Sequence, residues 1–193
     1  MKHFRDWRSH LLMALLVAHL TGCALRPRIV EQYDKDGVHF AHFSTWSITK
    51  DAAVEDKPSI RLISAHGPDN AVLILLCEPS SSTQTLEEFA AAVAEQRASR
   101  IPNKLKIGPL KTLDVKREKS SEISRSIAGE PHKGITQHFD VEVMGQRLPH
   151  VVEFYLVTTS RYRVMVMTQV PERHSQSTRN DYQLLLDSLS FRP

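Results

Sequence analysis

Ten consecutive residues of this chain alternate in a way that leaves one backbone conformation open. From Arg161 to Val170, Tyr162, Val164, Val166 and Val170 fall on one side with Thr168. Arg161, Arg163, Met165, Met167 and Gln169 fall on the other. A period of two belongs to a strand, whose successive side chains point to opposite faces of a sheet. Ile135 to Val143 repeats the pattern, with Ile135, Phe139, Val141 and Val143 set against Thr136, His138, Asp140 and Glu142. Val151 to Thr158 and Ala71 to Cys77 are apolar on both sides and belong near the middle of the sheet. Ile60 to Ala65 and Glu122 to Ala128 are weaker strands, and Phe40 to Ile48, with Phe43 and Trp46, opens the domain.

The links between these runs decide how they pair. Gly67-Pro68-Asp69-Asn70, Gly145-Gln146-Arg147 and Thr159-Ser160 are all short turn sequences. A parallel return needs a dozen or more residues, so short links impose antiparallel neighbours. The strands at Ile135, Val151 and Arg161 should therefore form a meander.

Two segments keep helical time instead. Thr85-Leu86-Glu87-Glu88 has the form of a capping box. Behind it Leu86, Phe89, Ala90 and Val93 make one apolar stripe on a helix that should end near Arg100, before Pro102. A second helix is expected from Ser177 to Leu189, with the stripe Tyr182, Leu185, Leu186 and Leu189 and with Asp181 in its first turn, where the helix dipole favours an anion. The 193 residues are 41% hydrophobic and 24% charged, which suits one globular domain. The expected class is α+β: a single antiparallel sheet with both helices on one face. Pro102 to Ser121 is the least regular stretch, a strand with a mobile loop.

The N-terminus has a different character. Lys2, Arg5 and Arg8 precede the apolar run Leu11 to Leu20. Ten helical residues span about 15 Å, half the hydrocarbon core of a bilayer, which fits a signal peptide rather than a transmembrane helix. Leu20-Thr21-Gly22-Cys23 follows at once and resembles the lipobox of bacterial lipoproteins. The resemblance implies cleavage after Gly22 and acylation of Cys23. The expected organisation is a signal peptide over residues 1–22, an acylated Cys23 and polar tether over 23–37, and the α+β domain over 38–193. Within the tether, Arg26 and Arg28 read first as solvated linker charges, with contact to anionic headgroups the second reading. Ala24 resembles the sorting signal of outer-membrane lipoproteins, which would place the domain in the periplasm of a cell with two membranes.

The run from Phe40 to Phe191 carries Phe43-Ser44-Thr45-Trp46, a strand pair, the Thr85-Leu86-Glu87-Glu88-Phe89 helix start and Ile127-Ala128-Gly129-Glu130-Pro131. It closes with the meander and Leu185-Leu186-Asp187-Ser188-Leu189-Ser190-Phe191. In that order these pieces resemble the PsbP-like and DcrB-like group. The resemblance implies the same α+β fold and a protein that mainly acts by binding other proteins. It brings no catalytic residues with it.

Chemistry is hard to find in the residues themselves. Ser47-Ile48-Thr49-Lys50 matches S-x-x-K, the nucleophile motif of penicillin-binding enzymes, but its partner motifs are missing. His39 and His42 stand three apart on a strand and so face opposite ways. His132 and His138 share a face but lack further metal ligands. Cys77 sits in an apolar run, where a thiol packs as a small hydrophobe. Lys116, Arg117 and Lys119 alternate with Glu118 and Glu122, a mixed solvated face. Of 25 basic and 22 acidic residues, three and one lie in the first 22, so the remainder is near neutral and gives no reason to expect nucleic-acid binding. No metal, cofactor or catalytic set is expected. The expected function is a membrane-anchored, non-catalytic module that binds a protein partner, as an assembly accessory or an immunity-type inhibitor. The alternative is an envelope hydrolase or small-ligand-binding lipoprotein whose site assembles from His132, His138, Glu153 and Arg163.

Overall fold

The computed structural model describes residues 28–99, 116–143 and 146–192. Gly22, Cys23, Arg26, Pro102 and Gly145 lie outside them. Ten strands, β1 Val30–Lys35, β2 Val38–Phe43, β3 Ser47–Val54, β4 Lys57–His66, β5 Val72–Pro79, β6 Lys116–Ile127, β7 Glu130–Val143, β8 Gln146–Thr158, β9 Tyr162–Pro171 and β10 Ser190–Phe191, combine with two helices, α1 Leu86–Ser99 and α2 Arg179–Asp187. Seven strands make one sheet in the order β3-β4-β5-β9-β8-β7-β6, and β1-β2-β10 make a second. Every pairing is antiparallel. The fold class is α+β, as the alternation and the helical stripes require.

Strand β9 occupies the centre of the large sheet, flanked by β5 and β8, the two runs that are apolar on both sides. The expected meander is present: Phe154 faces Ile135 on β7 and Met167 on β9. The weak strand at Glu122 extends back to Lys116, inside the stretch expected to be irregular, because β7 supplies a ladder along its whole length.

Three expectations are corrected. Residues 30–35, assigned to the tether, form β1. Asp36 and Gly37 both have positive φ, 48° and 79°, and turn the chain into β2. Asp-Gly in this conformation is the favoured two-residue hairpin turn, because its twist matches that of the strands. Phe40 to Ile48 is two strands, β2 and β3, in different sheets. The helices lie on opposite faces of the large sheet rather than on one. Val164, Val166, Leu75, Tyr155 and Val157 face α2 and the small sheet, joined by Phe40, Trp46, Tyr182, Leu185 and Leu186. Met165, Met167, Ile74, Phe154 and Phe139 face the other way, toward Phe89, Ala90 and Val93 of α1. Central strands that are apolar on both sides need both sides covered.

The helix caps follow the sequence closely at α1. Thr85 N donates to Glu88 Oε2 at 2.9 Å and Glu88 N donates to Thr85 Oγ1 at 3.1 Å, the reciprocal pair of a capping box. Helix α2 is shorter than expected. At its start Thr178 Oγ1 turns back to the His174 carbonyl rather than capping the helix. Among the described residues no helix is long and apolar enough to cross a membrane.

Candidate functional site

Three clusters of charged side chains sit on or between the sheets. On the face toward α2, β6 and β8 bring Arg125 to Glu153. Arg125 Nε donates to Oε2 at 2.7 Å and Nη2 to Oε1 at 2.8 Å, a bidentate pair. The Tyr155 hydroxyl also donates to Oε2, at 2.8 Å. Burial, with Glu153 alongside, pushes the Tyr155 phenol well up, and the Glu153 hydrogen bonds hold the Arg125 charge in place. Both Glu153 oxygens are thus already accepting.

The second cluster ties the small sheet to the edge of the large one. Asp51 on β3 accepts from Arg61 Nε at 2.7 Å and Nη2 at 3.1 Å, from Lys35 Nζ at 2.5 Å and from the Tyr33 hydroxyl at 3.0 Å. Those donors, Arg61 first, hold the Asp51 carboxyl well below the usual carboxylate range. Burial and the bond to Asp51 push the Tyr33 phenol up to about 12.

The third cluster lies where the described chain begins. Asp181, buried in the first turn of α2, accepts from Arg28 Nη1 at 2.8 Å and from Trp46 Nε1 at 3.0 Å. The Arg28 guanidinium lies over the Phe43 ring, 4.8 Å from its centroid. In the tether Arg28 reads as a solvated linker charge, with headgroup contact as the second reading; its charge is instead met by a carboxylate 153 positions away. The expected role of the dipole at Asp181 is joined by two side-chain donors.

The residues singled out in the sequence do not converge. Ser47 and Lys50 are exposed on β3, with a register shift between Ile48 and Lys50. His39 is half-buried, with Nδ1 3.5 Å from Asp34 Oδ2 and no hydrogen bond made there. His42 points to the other side, is buried, and places Nδ1 3.0 Å from the Phe43 carbonyl. His132, His138 and Glu153 share the α2 face of the large sheet, but the histidines stand about 20 Å apart along β7. His138 lies 3.4 Å from Glu172. Arg163 falls on the opposite face, where Nη2 donates to the Gln84 carbonyl at 2.6 Å and Nε is buried without a partner. Cys77 is buried in the core between the sheets, and burial pushes its thiol up to about 11. Lys116, Arg117 and Lys119 lie on β6, at one end of the strand order. Among the described residues no group of three or more His, Cys, Asp or Glu is placed to hold a metal.

A further charged group, like the pairs above, had no signal in the sequence. Arg97 of α1 lies over Phe139, 4.5 Å from its centroid, and Nη2 is 3.7 Å from Met167 Sδ. Burial lowers its guanidinium to about 10. Its long stem covers apolar surface, and the ring face supplies the favourable electrostatics.

No family model matches the chain, and no curated protein matches it. Among solved structures, the chain is similar to cyanobacterial PsbP (CyanoP) from Synechocystis sp. PCC 6803. The identity is 13%, the TM-score is 0.45, and the match covers 87% of this chain and 95% of that one. It is also similar to PA94 of Pseudomonas aeruginosa, a protein of unknown function, with 13% identity, a TM-score of 0.39 and coverage of 85% and 98%. A third is LpqN, involved in cell envelope biogenesis of Mycobacterium tuberculosis, with 8% identity, a TM-score of 0.32 and coverage of 88% of each chain. Likenesses this distant leave function to be argued from the residues.

Proposed function

We propose that this chain is a lipid-anchored bacterial envelope protein whose α+β domain works by binding another protein and performs no chemistry of its own. The anchor is supported by the basic start, the ten-residue apolar run and the Leu20-Thr21-Gly22-Cys23 tetrapeptide. A diacylated cysteine holds a protein to a bilayer stably, which a single chain does not. In a cell with two membranes, Ala24 favours the outer one, with the domain in the periplasm.

One observation carries the binding reading. Two carboxylates that an enzyme could use already have structural work: Glu153 is held by Arg125 and Tyr155, and Asp51 by Arg61, Lys35 and Tyr33. A general base must reach its substrate's proton, and an oxyanion needs donors aimed at it. Cys77 is buried and its thiol is pushed up, the reverse of an activated nucleophile.

Two measurements test this. Mass spectrometry of the membrane fraction should find residues 1–22 removed and Cys23 acylated, and Cys23→Ala should release the protein. Single alanine replacements of Ser47, His39, His42 and Cys77, each confirmed to fold, should all rescue the phenotype of deletion. A well-folded, acylated Ser47→Ala or His42→Ala protein that fails to rescue would move the assignment to an enzyme.

A further inference from the structure

We propose that the Arg28 end of the domain lies on the bilayer and that Ile29 enters the headgroup layer there. The partner is the surface of the membrane that holds the Cys23 lipid, so the inference rests on the reading of Cys23 as an anchor.

Reach is the first argument. Arg28 is five positions after Cys23, with four residues between, and a chain extends at most about 3.6 Å per position, or about 18 Å in all. From Arg28 onward there is no more slack. Asp181 holds the guanidinium, the Ser44 amide donates to the Ile29 carbonyl at 2.7 Å, and Val30 pairs with Phe43 on β2. Residues assigned to a tether are therefore part of the folded body, and the body begins close to the lipid.

The surface at that point is the second argument. Ile29 and Val30 are the exposed large hydrophobic residues among those described, at 59% and 48%. Single exposed apolar residues are ordinary on a protein surface. Here Ile29 directly follows the residue that fixes the chain to the body, at the end of the domain nearest Cys23, while Val30 projects to the other side of the extended chain. The Ser44 bond fixes the backbone at Ile29, and the side chain is exposed there. The turn at Glu55 and Asp56 marks the far end of the domain: β3 starts next to Trp46 and carries the chain about 26 Å to it.

The test uses the full-length protein, processed in cells and purified from the membrane fraction, with acylation of Cys23 confirmed by mass. It is placed in vesicles of phosphatidylethanolamine and phosphatidylglycerol. A nitroxide is attached through Ile29→Cys, and in a second sample through Glu55→Cys; both positions are exposed, and buried Cys77 does not compete for label. Collision with oxygen, which concentrates in lipid, is compared with collision by a water-soluble nickel chelate. The label at 29 should favour oxygen several-fold over the label at 55. An acylated protein in which both positions show the same aqueous ratio overturns the proposal while leaving the anchor intact. A mass without acyl chains sinks the anchor reading, and this proposal with it, before any label is read.

Discussion

Trp46 Nε1 donates to Asp181 Oδ2 at 3.0 Å, joining the loop before β3 to the first turn of α2 across 135 positions of sequence. Both residues are buried, so the indole proton has no water to turn to if the carboxylate is lost. Asp181→Ala should lower stability by about 2 kcal/mol, the cost of one buried donor left without an acceptor. Arg28→Gln should cost under about 1 kcal/mol, because 46% of the Arg28 side chain is exposed and water replaces much of the ion pair. Urea denaturation of the two variants checks the ranking.

Gly67 is fixed by the same tryptophan. A Cβ there would stand 2.3 Å from Trp46 Cε2. The ring cannot swing aside without breaking its bond to Asp181 and its edge contact with Tyr182, 5.5 Å between centroids. Gly67→Ala should destabilise by about 2 kcal/mol through overpacking. The emission of Trp46 should shift to the red as the indole loses its buried seat.

The β6–β7 hairpin turns through Ala128 at φ 56° and Gly129 at φ 82°. Left-handed backbone costs an L-residue roughly 1–2 kcal/mol, and glycine avoids that cost. Ala128 is held there by its amide, which donates to the Leu186 carbonyl at 2.9 Å. Ala128→Gly should raise stability by about 0.5–1 kcal/mol despite the greater freedom of the unfolded chain. Ala128→Val should lower it. Thermal melts of the two variants should move in opposite directions.

Alkaline stability should depend on Cys77. Its thiol is raised from 9.0 to about 11 in the fold, so the unfolded chain releases that proton first. The stability that follows from the neutral thiol is complete below about pH 9 and is lost as pH rises toward 11. Cys77→Val fills nearly the same volume and cannot ionise. Its stability should fall less steeply than the parent's over that range, measured by urea midpoints at successive pH values.

At the acid end the sign reverses. Asp51 is held below its ordinary 3.8 by Arg61, so its contribution is present above about pH 4 and is lost as pH falls below that. Asp51→Asn should be less stable at pH 7, with a shallower decline between pH 4 and pH 2. An unchanged acid slope would mean that the Asp51 cluster does not govern it.

Much of this architecture was legible in local pattern. Alternation from Arg161 to Val170 placed β9, short turns imposed the meander, and Thr85 and Glu88 marked the start of α1. The two-sided cover of the sheet is itself legible in the sequence, because Met165 and Met167 between Val164 and Val166 describe a strand that is apolar on both faces. Strand β1 was obscured by composition: Glu31, Gln32 and Asp34 read as tether, although Asp36-Gly37 marked a hairpin. The pairs Arg28–Asp181 and Arg125–Glu153 had no local signal. Each partner is an ordinary surface charge until tertiary structure brings the two together, and only the folded chain sets that distance. The same reason scattered His132, His138, Glu153 and Arg163: a shared strand parity fixed a face for three of them and nothing fixed their separation.

Strand β2 has β1 on one side and β10 on the other, so the first and last described strands meet through a single neighbour. The Arg192 amide donates to the Gly37 carbonyl at 2.7 Å, and its guanidinium reaches Asp34 at 3.1 Å. Helix α2, which contributes Asp181, also comes from the end of the sequence. During synthesis the chain emerges with its N-terminal end first, and Arg28 and Asp34 must wait for more than 150 residues before Asp181 and Arg192 arrive. Contacts so distant in sequence form slowly. The β1–β2 hairpin is local and needs neither Asp181 nor Arg192, but the clasp at Arg28 and the β10 edge of the small sheet close only when nearly the whole chain is present.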